Sequence, residues 1–269
     1  MILHPGLKIE FGITDFGEEL PPEVAAWAGY LEYRIGAPGD VLGIPIDRWC
    51  IAHAPDPQED GWLECVDALS RHPAVRIVNT HARPDDEYTL CGSCGRRMVN
   101  TQHPKQSCDW CSEGLGDRQL GDGLAANNFE TVISTLREGA RILAAGGKQL
   151  VVENTYEPPD LMCRILDALP QGVGFTLDVG HTLINWACPL DYVTRLRHRL
   201  AHLHLHDNMG GNTEHHHDKH LPPGAGIAPW TEIGRALRRV EFSGTATFEC
   251  KPSPIWLAKW QGELVLEEK

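Results

Sequence analysis

Six apolar runs of the chain each carry, at or near their ends, a residue that can bind a metal ion. The runs are RWCIAHAP (48–55), VRIVNTHA (75–82), KQLVVENT (148–155), VGFTLDVGH (173–181), LAHLHLHDN (200–208) and GTATFECKP (244–252). Their length and apolar character are typical of strands buried on both faces of a parallel sheet. The candidate ligands, in chain order, are His53, His81, Glu153, Asp178, His204 and Glu249.

Two further strands are predicted at 7–13 and 31–36, which makes eight in all. The intervening segments have helical length and period, and helices are predicted at 21–30, 61–71, 128–145, 158–169, 189–199 and 229–239. Alternation of strand and helix predicts a parallel sheet covered by helices. At 269 residues the chain fits a single (β/α)₈ TIM barrel of the α/β class, spanning 1–269.

The carboxyl ends of all strands meet at one face of such a barrel, and barrels of this type carry their chemistry there. An imidazole or carboxylate buried inside a sheet is costly unless it is paired. The repeated placement of such groups at strand ends therefore predicts one pocket lined by these residues.

An insertion is predicted at 83–122, after the fourth strand, because this stretch is rich in Gly, Cys and Asp and has no apolar period. It contains two CxxC pairs at a spacing typical of a closed, structural Cys₄ zinc site, formed by Cys91, Cys94, Cys108 and Cys111. Redox-active pairs or free thiols are the alternative. The other cysteines, expected to be reduced core residues, are Cys50, Cys65, Cys163, Cys188 and Cys250.

Further polar residues lie within or after the runs at 173–181 and 200–208. His181 follows Asp178 by three residues, and a later loop contains Asp218 and His220 in a DxH pattern. His202 and His206 share a strand face with a candidate ligand by the two-residue period. We interpret these last two as polar groups that line the pocket and bind substrate.

Charge and hydropathy narrow the range of partners. The formal net charge is −13 and the sequence pI is about 5.5, which disfavours a non-specific grip on nucleic acid or an anionic membrane. The segment after His53, APDPQED, offers nothing to hold duplex DNA. Without an apolar run of the ~20 residues that span a bilayer, we expect a cytoplasmic protein with a small-molecule substrate. The sequence leaves the oligomeric state open, and an oligomer is compatible with it.

The motifs HLHD (204–207), DKHLPPGAG (218–226), VENT (152–155), LDVGH (177–181) and FEC (248–250) resemble the xylose isomerase-like TIM-barrel superfamily. Within it, the closest pattern is the AP endonuclease family 2 branch typified by endonuclease IV. The resemblance runs from about residue 48 to 252. The insertion with the cysteine pairs is not part of the usual pattern of that family.

The resemblance implies up to three bound ions. One ion would be held by His53, His81 and Glu153. A second would be held by Glu153, Asp178, His204 and Glu249, and a third by His181, Asp218 and His220. Imidazole and carboxylate ligands suit Zn²⁺ or Mn²⁺, so two to three of either ion are expected in the barrel.

Three functions follow. A metal-dependent hydrolase that cleaves a phosphoester of a small or nucleotide-like substrate is preferred, because the trinuclear ligand set is complete. The alternative is a sugar or sugar-phosphate isomerase or epimerase, in which one divalent ion binds and Glu153 and Glu249 act as an acid–base pair. A non-catalytic zinc-ribbon binding protein is the third, and it predicts loss of the strand-end ligands.

Overall fold

The computed structural model describes residues 8–15, 17, 20–84, 88–90, 97–99, 129–155, 157–185, 187–210 and 218–250. The four cysteines of the predicted zinc site, and most of the predicted insertion at 83–122, lie outside the described residues.

Eight parallel strands close into a barrel. In chain order they are β1 (Lys8–Thr14), β2 (Tyr30–Arg34), β3 (Cys50–His53), β4 (Val75–His81), β7 (Gln149–Glu153), β8 (Gly174–Asp178), β9 (Leu200–Leu205) and β10 (Ser243–Phe248). Each pairs in parallel with its neighbours, and β10 pairs with β1 to complete the ring. Between β4 and β7 the short strands β5 (Tyr88–Leu90) and β6 (Arg97–Val99) form an antiparallel pair of their own. The TIM-barrel prediction is confirmed.

Helices surround the barrel. They are α1 (Pro22–Trp27), α2 (Trp62–Arg71), α3 (Phe129–Ala145), α4 (Pro159–Ala168), α5 (Val179–Ile184), α6 (Pro189–Arg195) and α7 (Trp230–Arg239), with a 3₁₀ helix at Pro38–Gly43. α1, α4 and α6 begin with proline, whose fixed φ suits the first helical turn. The apolar stripe of α3 is buried, with Val132, Ile133 and Leu136 at most 1% exposed.

The barrel has an apolar outer layer and a polar interior. On β9, Leu203 alternates with His202 and His204, and all three are fully buried. The ring of Tyr30 lies where a Cβ at Gly12 would have to sit, so the missing side chain on β1 makes room for this aromatic ring. Because the interior is polar, its side chains must hydrogen-bond to one another.

The run at 173–181 is shorter as a strand than predicted. β8 ends at Asp178, whose Oδ1 accepts a hydrogen bond of 2.6 Å from the backbone N–H of His181 and so caps α5. The carboxylate therefore both ends the strand and starts a helix. As a result, His181 lies in the first turn of α5 and faces the barrel mouth.

Candidate metal centre

Four side chains from four neighbouring strands meet at the barrel mouth. We call Glu153, Asp178, His204 and Glu249 the tetrad; each offers a ligand atom within 4.8 Å of the others. Nδ1 of His204 lies 3.2 Å from a Glu153 oxygen, 3.5 Å from a Glu249 oxygen and 3.7 Å from an Asp178 oxygen. This buried nitrogen has no hydrogen-bond partner in the part of the chain that the structure describes. An unpaired nitrogen among three carboxylates fits a divalent cation such as Mn²⁺ or Zn²⁺.

Imidazolium charge balances the carboxylates of the tetrad. Burial acts to raise the pKa of Glu153, but the positive charges of His204 and His81 outweigh it and hold this pKa well below its ordinary value. Burial acts to lower the pKa of His204, but the carboxylates of Glu153, Glu249 and Glu32 raise it well above its ordinary value. A bound divalent cation would supply this positive charge instead.

Glu32 on β2 contacts the tetrad from inside the barrel and is not among the residues predicted from the sequence. Its Oε1 lies 3.0 Å from Nε2 of His204, and its Oε2 lies 3.2 Å from Nε2 of His202. A carboxylate on one ring nitrogen leaves the other with its lone pair free for a metal. The signal in the sequence is an acid inside a strand whose neighbours are apolar, since Glu32 is 1% exposed.

A short chain of hydrogen bonds fixes Glu153. Nδ2 of Asn79 donates to Glu153 Oε2, and the Asn79 oxygen accepts a bond of 2.8 Å from the Thr176 hydroxyl. All three residues are buried and come from the neighbouring strands β4, β7 and β8. The carboxylate is thus oriented before any ligand enters.

A second candidate ligand group lies beside the tetrad on the side of β3 and β4. It consists of His53, His81 and Glu153. Nε2 of His53 lies 3.1 Å from one Glu153 oxygen, and Nε2 of His81 lies 3.5 Å from the other. Nδ1 of His81 lies 2.8 Å from Oδ1 of Asp56, which orients the ring. The structure therefore brings together the residues predicted for the first ion.

The opposite flank contains His181, Asp218 and His220. Oδ2 of Asp218 lies 3.1 Å from Nε2 of His181 and 2.9 Å from Nε2 of His220. Burial acts to lower the pKa of His220, but hydrogen bonding to Asp218 and its charge raise it to about 9. The predicted third set is thus assembled around one carboxylate.

Asp207 holds the loop that carries this flank. Its carboxylate accepts hydrogen bonds from the backbone N–H groups of Gly224 and Ala228, at 2.9 and 3.0 Å, and from Nε1 of Trp230 at 2.9 Å. Its backbone pairs with Leu221 in both directions. These hydrogen bonds fix the loop to the end of β9. They therefore hold in place the backbone that carries Asp218 and His220.

His206 and His202 occupy different depths. His206 follows β9, and its Nε2 lies 2.9 Å from Oδ2 of Asp178. It joins two candidate metal-binding groups, one with Asp178 and His181 and one with Asp218 and His220. His202 lies deeper, and its ring nitrogens contact the Thr245 hydroxyl at 2.7 Å and Glu32 at 3.2 Å. These contacts favour a supporting role for His202, since both ring nitrogens are engaged.

A cavity of about 340 Å³ opens over these groups. Its lining combines all of the candidate ligands except Asp178 and His204 with two cationic side chains, Arg34 at the end of β2 and Arg83 after β4. Nη2 of Arg34 lies 3.3 Å from Oε1 of Glu249, on the side away from His204. The cavity is large enough for a small molecule, and most of its lining residues carry charged or imidazole side chains.

The model of the xylose isomerase-like TIM barrel family matches residues 49–267. The chain belongs to this family. The resemblance drawn from its strand-end motifs is therefore confirmed, and so is the barrel.

Curated relatives match only part of their length. A D-psicose 3-epimerase of Enterocloster bolteae is 35% identical over 144 residues, which are 49% of this chain and 41% of that protein. An uncharacterized protein of Methanocaldococcus jannaschii is 29% identical over 137 residues, 46% of this chain and 43% of that protein. The matched segments thus span less than half of these relatives.

Solved structures share the fold over nearly the whole chain. A D-tagatose 3-epimerase-like protein superposes with a TM-score of 0.64 at 19% identity, covering 96% of this chain and 98% of that one. A Thermus thermophilus protein soaked with ZnCl₂ gives 0.64 at 16% identity, covering 97% of this chain and 100% of that one. At these identities the likeness concerns the fold alone.

These comparisons give no support to the phosphoester hydrolase that the sequence analysis preferred. Relatives described by function include sugar epimerases, the class of the alternative. Among the described residues, no helix is both long and apolar enough to cross a membrane.

Proposed function

We propose that this chain is a metal-dependent isomerase or epimerase of a small carbohydrate. The observation that carries the proposal is the tetrad, in which the carboxylates of Glu153 and Glu249 both approach the unpaired Nδ1 of His204, at 3.2 and 3.5 Å. The 35% identity to a D-psicose 3-epimerase supports this choice of reaction class.

The tetrad would hold one divalent ion. When bound, that ion supplies a Lewis acid that draws electron density from two neighbouring substrate oxygens and acidifies the C–H bond between them. His204, oriented by Glu32, and Asp178, which caps α5, would serve as ligands. Arg34 donates from its Nη2 to Oε1 of Glu249 at 3.3 Å, which orients this carboxylate.

Glu153 and Glu249 move the proton. One carboxylate removes the proton from the carbon next to the carbonyl, and the electron pair of the broken C–H bond passes into an enediolate. For epimerisation the other glutamate must enter the cycle as the carboxylic acid; it donates its proton to the opposite face and inverts that carbon, and the first glutamate is left protonated. Return of the proton by the first glutamate to the neighbouring carbon gives aldose–ketose isomerisation. The two outcomes differ in which carboxylate delivers the proton and to which carbon; isomerisation also moves a hydroxyl proton to the former carbonyl oxygen.

Solvent exchange tests this proposal. Protein loaded with Mn²⁺ is incubated in D₂O with ketoses that differ at C3, and deuterium at the reacting carbon is followed by NMR. Wild type should incorporate deuterium, and Glu153→Gln and Glu249→Gln should each slow incorporation by about 10²–10⁴-fold. Glu138→Gln, on the exposed face of α3, is the matched control and should exchange at the wild-type rate. Absence of exchange with every ketose would contradict the proposal.

A phosphoester hydrolase remains the second candidate because of the two flanking groups, His53 with His81 and Asp218 with His220. A single-ion isomerase needs neither flank as a ligand. His81→Ala and Asp218→Ala should therefore leave isomerase turnover in place but abolish a multinuclear hydrolase. Metal analysis of the same variants distinguishes one ion in the barrel from two or three.

A further inference from the structure

Arg83 lies at the cavity wall just beyond β4, two residues after His81. Its side chain is 43% exposed and lines the same cavity as Glu153 and Glu249 of the tetrad. Among the described lining residues, the only other guanidinium is that of Arg34, which is bound to Glu249. Arg83 is therefore the guanidinium of the described lining that does not contact the proposed proton-transfer pair.

The backbone of Arg83 is held in an unfavourable conformation. Its φ is 44°, in the left-handed region that residues with a Cβ rarely adopt. The fully buried Glu157 accepts a hydrogen bond of 2.9 Å from the Arg83 N–H, and Gln58 donates one of 2.7 Å to the Arg83 carbonyl. Conformations of this kind persist where the surroundings enforce them, commonly at ligand sites.

The guanidinium of Arg83 is oriented but not saturated. Its Nη1 donates to Oδ2 of Asp56 at 2.9 Å, while Oδ1 of the same carboxylate contacts His81. In the described part of the chain, the buried Arg83 Nε has no acceptor and Nη2 makes no hydrogen bond. Asp56 thus fixes the guanidinium beside the candidate ligand His81 and leaves further N–H groups for another acceptor.

We infer that Arg83 binds an oxyanion carried by the substrate, either a phosphate ester or a carboxylate. A guanidinium presents a planar set of donors that matches both groups, and charge-assisted hydrogen bonds of this kind are stronger than those to a neutral hydroxyl. A metal in the tetrad would add positive charge and offset the carboxylates of the cavity. The inference rests on the proposed function and narrows its substrate to a sugar phosphate or a sugar acid.

Calorimetric binding to Mn²⁺-loaded protein tests the inference with three probes: D-fructose, D-fructose 6-phosphate and D-gluconate. At least one anionic probe should bind wild type about tenfold more tightly than D-fructose, and Arg83→Gln should remove that advantage. D-Fructose should bind both proteins within about twofold, because it has no anionic group. The probe that loses affinity identifies the anion as phosphate or carboxylate.

Further variants keep the test decisive. Arg83→Lys keeps the charge without the planar donors and should retain an intermediate preference. Arg195→Gln, which removes the ion pair with Asp160 between α6 and α4, is the matched control and should match wild type. Gluconate can also chelate the metal directly. Only the part of its affinity that the Arg83→Gln substitution removes is therefore evidence for binding by Arg83.

Anionic probes that bind no more tightly than D-fructose, or an advantage that survives in Arg83→Gln, would overturn the inference. Failure of the proposed function is distinguishable, since it appears as absent deuterium exchange while the dependence of anion binding on Arg83 persists. A misfolded Arg83→Gln variant would be recognised by its circular dichroism, and Arg83→Lys would then decide the question.

Discussion

At the residue scale, the imidazole of His204 is held from both sides. Glu32 contacts its Nε2 at 3.0 Å, and the carboxylates of the tetrad surround its Nδ1. Burial acts to raise the pKa of Glu32, but the charge of His204 and hydrogen bonds from His202 and His204 outweigh it and keep the carboxyl ionised. The residue below the metal site thus decides which nitrogen of His204 can bind a cation.

Glu32→Gln should therefore weaken metal binding by about 10–100-fold, as loss of such a supporting carboxylate typically does. Isothermal titration with Mn²⁺ on metal-free protein measures the affinity directly. Glu138→Gln, an exposed carboxylate on α3, provides the control. Equal affinities of Glu32→Gln and wild type would show that His204 does not need this partner.

The buried thiol of Cys50, at the start of β3, makes the free energy of unfolding depend on pH in the alkaline range. Burial raises the pKa of its thiol from 9.0 to about 12, because the thiolate is disfavoured there. The unfolded chain loses this proton near its ordinary pKa, so the contribution to stability is complete below pH 9 and is lost as the pH rises from 9 to 12.

In urea unfolding, the Cys50→Ala variant should lose less stability than wild type over this pH range, by up to about 1.4 kcal/mol per pH unit. Below pH 9 the difference between the two proteins should be constant. Parallel curves from pH 9 to 12 would refute the assignment to Cys50.

At the element scale, the turn from β8 into α5 brings a helix against the site. A Cβ at Gly180 would overlap the ring of His206, which lies 2.9 Å from Asp178. The close approach of α5 to His206 therefore depends on glycine at this position. Asp178, His181 and His206 form one candidate metal-binding group as a result.

Gly180→Ala should push His206 away from Asp178, destabilise the protein by about 1–3 kcal/mol and weaken metal binding. Gly172→Ala is the control, because a Cβ there meets nothing within 4 Å. Thermal melts with and without Mn²⁺ measure both effects. If the two alanine variants behave alike, the packing of α5 does not constrain the site.

The periodic elements could be predicted from the sequence, and their junctions could not. The strands that carry His53, His81 and Glu153 follow from apolar runs that end in a polar residue. α5 was missed because 173–181 is apolar on both sides of Asp178, and periodicity cannot locate a change from strand to helix within such a run. The capping role of an Asp followed by a helix was the available signal.

The candidate ligands could be predicted because they lie at the ends of the apolar runs that predict the strands. All nine candidate ligands lie in the candidate metal-binding groups, because the carboxyl ends of barrel strands must converge. Glu32 and Arg83 were not predicted, since their roles depend on contacts with His204 on β9 and with Asp56 after β3. The contact of Arg83 with Asp56 has no trace in the local sequence, whereas the available signal for Glu32 was an acid between apolar neighbours of a strand.

At the scale of the whole molecule, the barrel concentrates carboxylates and imidazoles that a cation would hold together. An ion that binds the folded state alone stabilises it by about 2.7 kcal/mol at a concentration of 100 Kd. For a chain of 269 residues, the expected rise in Tm is about 5–10 °C.

Calorimetry of protein treated with EDTA and then reloaded with Mn²⁺ measures this rise. Asp178→Asn removes one carboxylate of the tetrad and should lose most of the effect, whereas Asp167→Asn on the exposed side of α4 should keep it. A Tm that does not respond to metal in wild type would argue against a built ion site.

Closure of the ring through β1 and β10 sets an order of events during synthesis. The earliest described strand pairs with the latest, with Lys8 opposite Ser243, and Glu249 follows directly. A ribosome-bound nascent chain can therefore present Glu153, Asp178 and His204 while the last carboxylate is still untranslated. Capture of a cation by the full tetrad would therefore have to wait until β10 and Glu249 have left the exit tunnel.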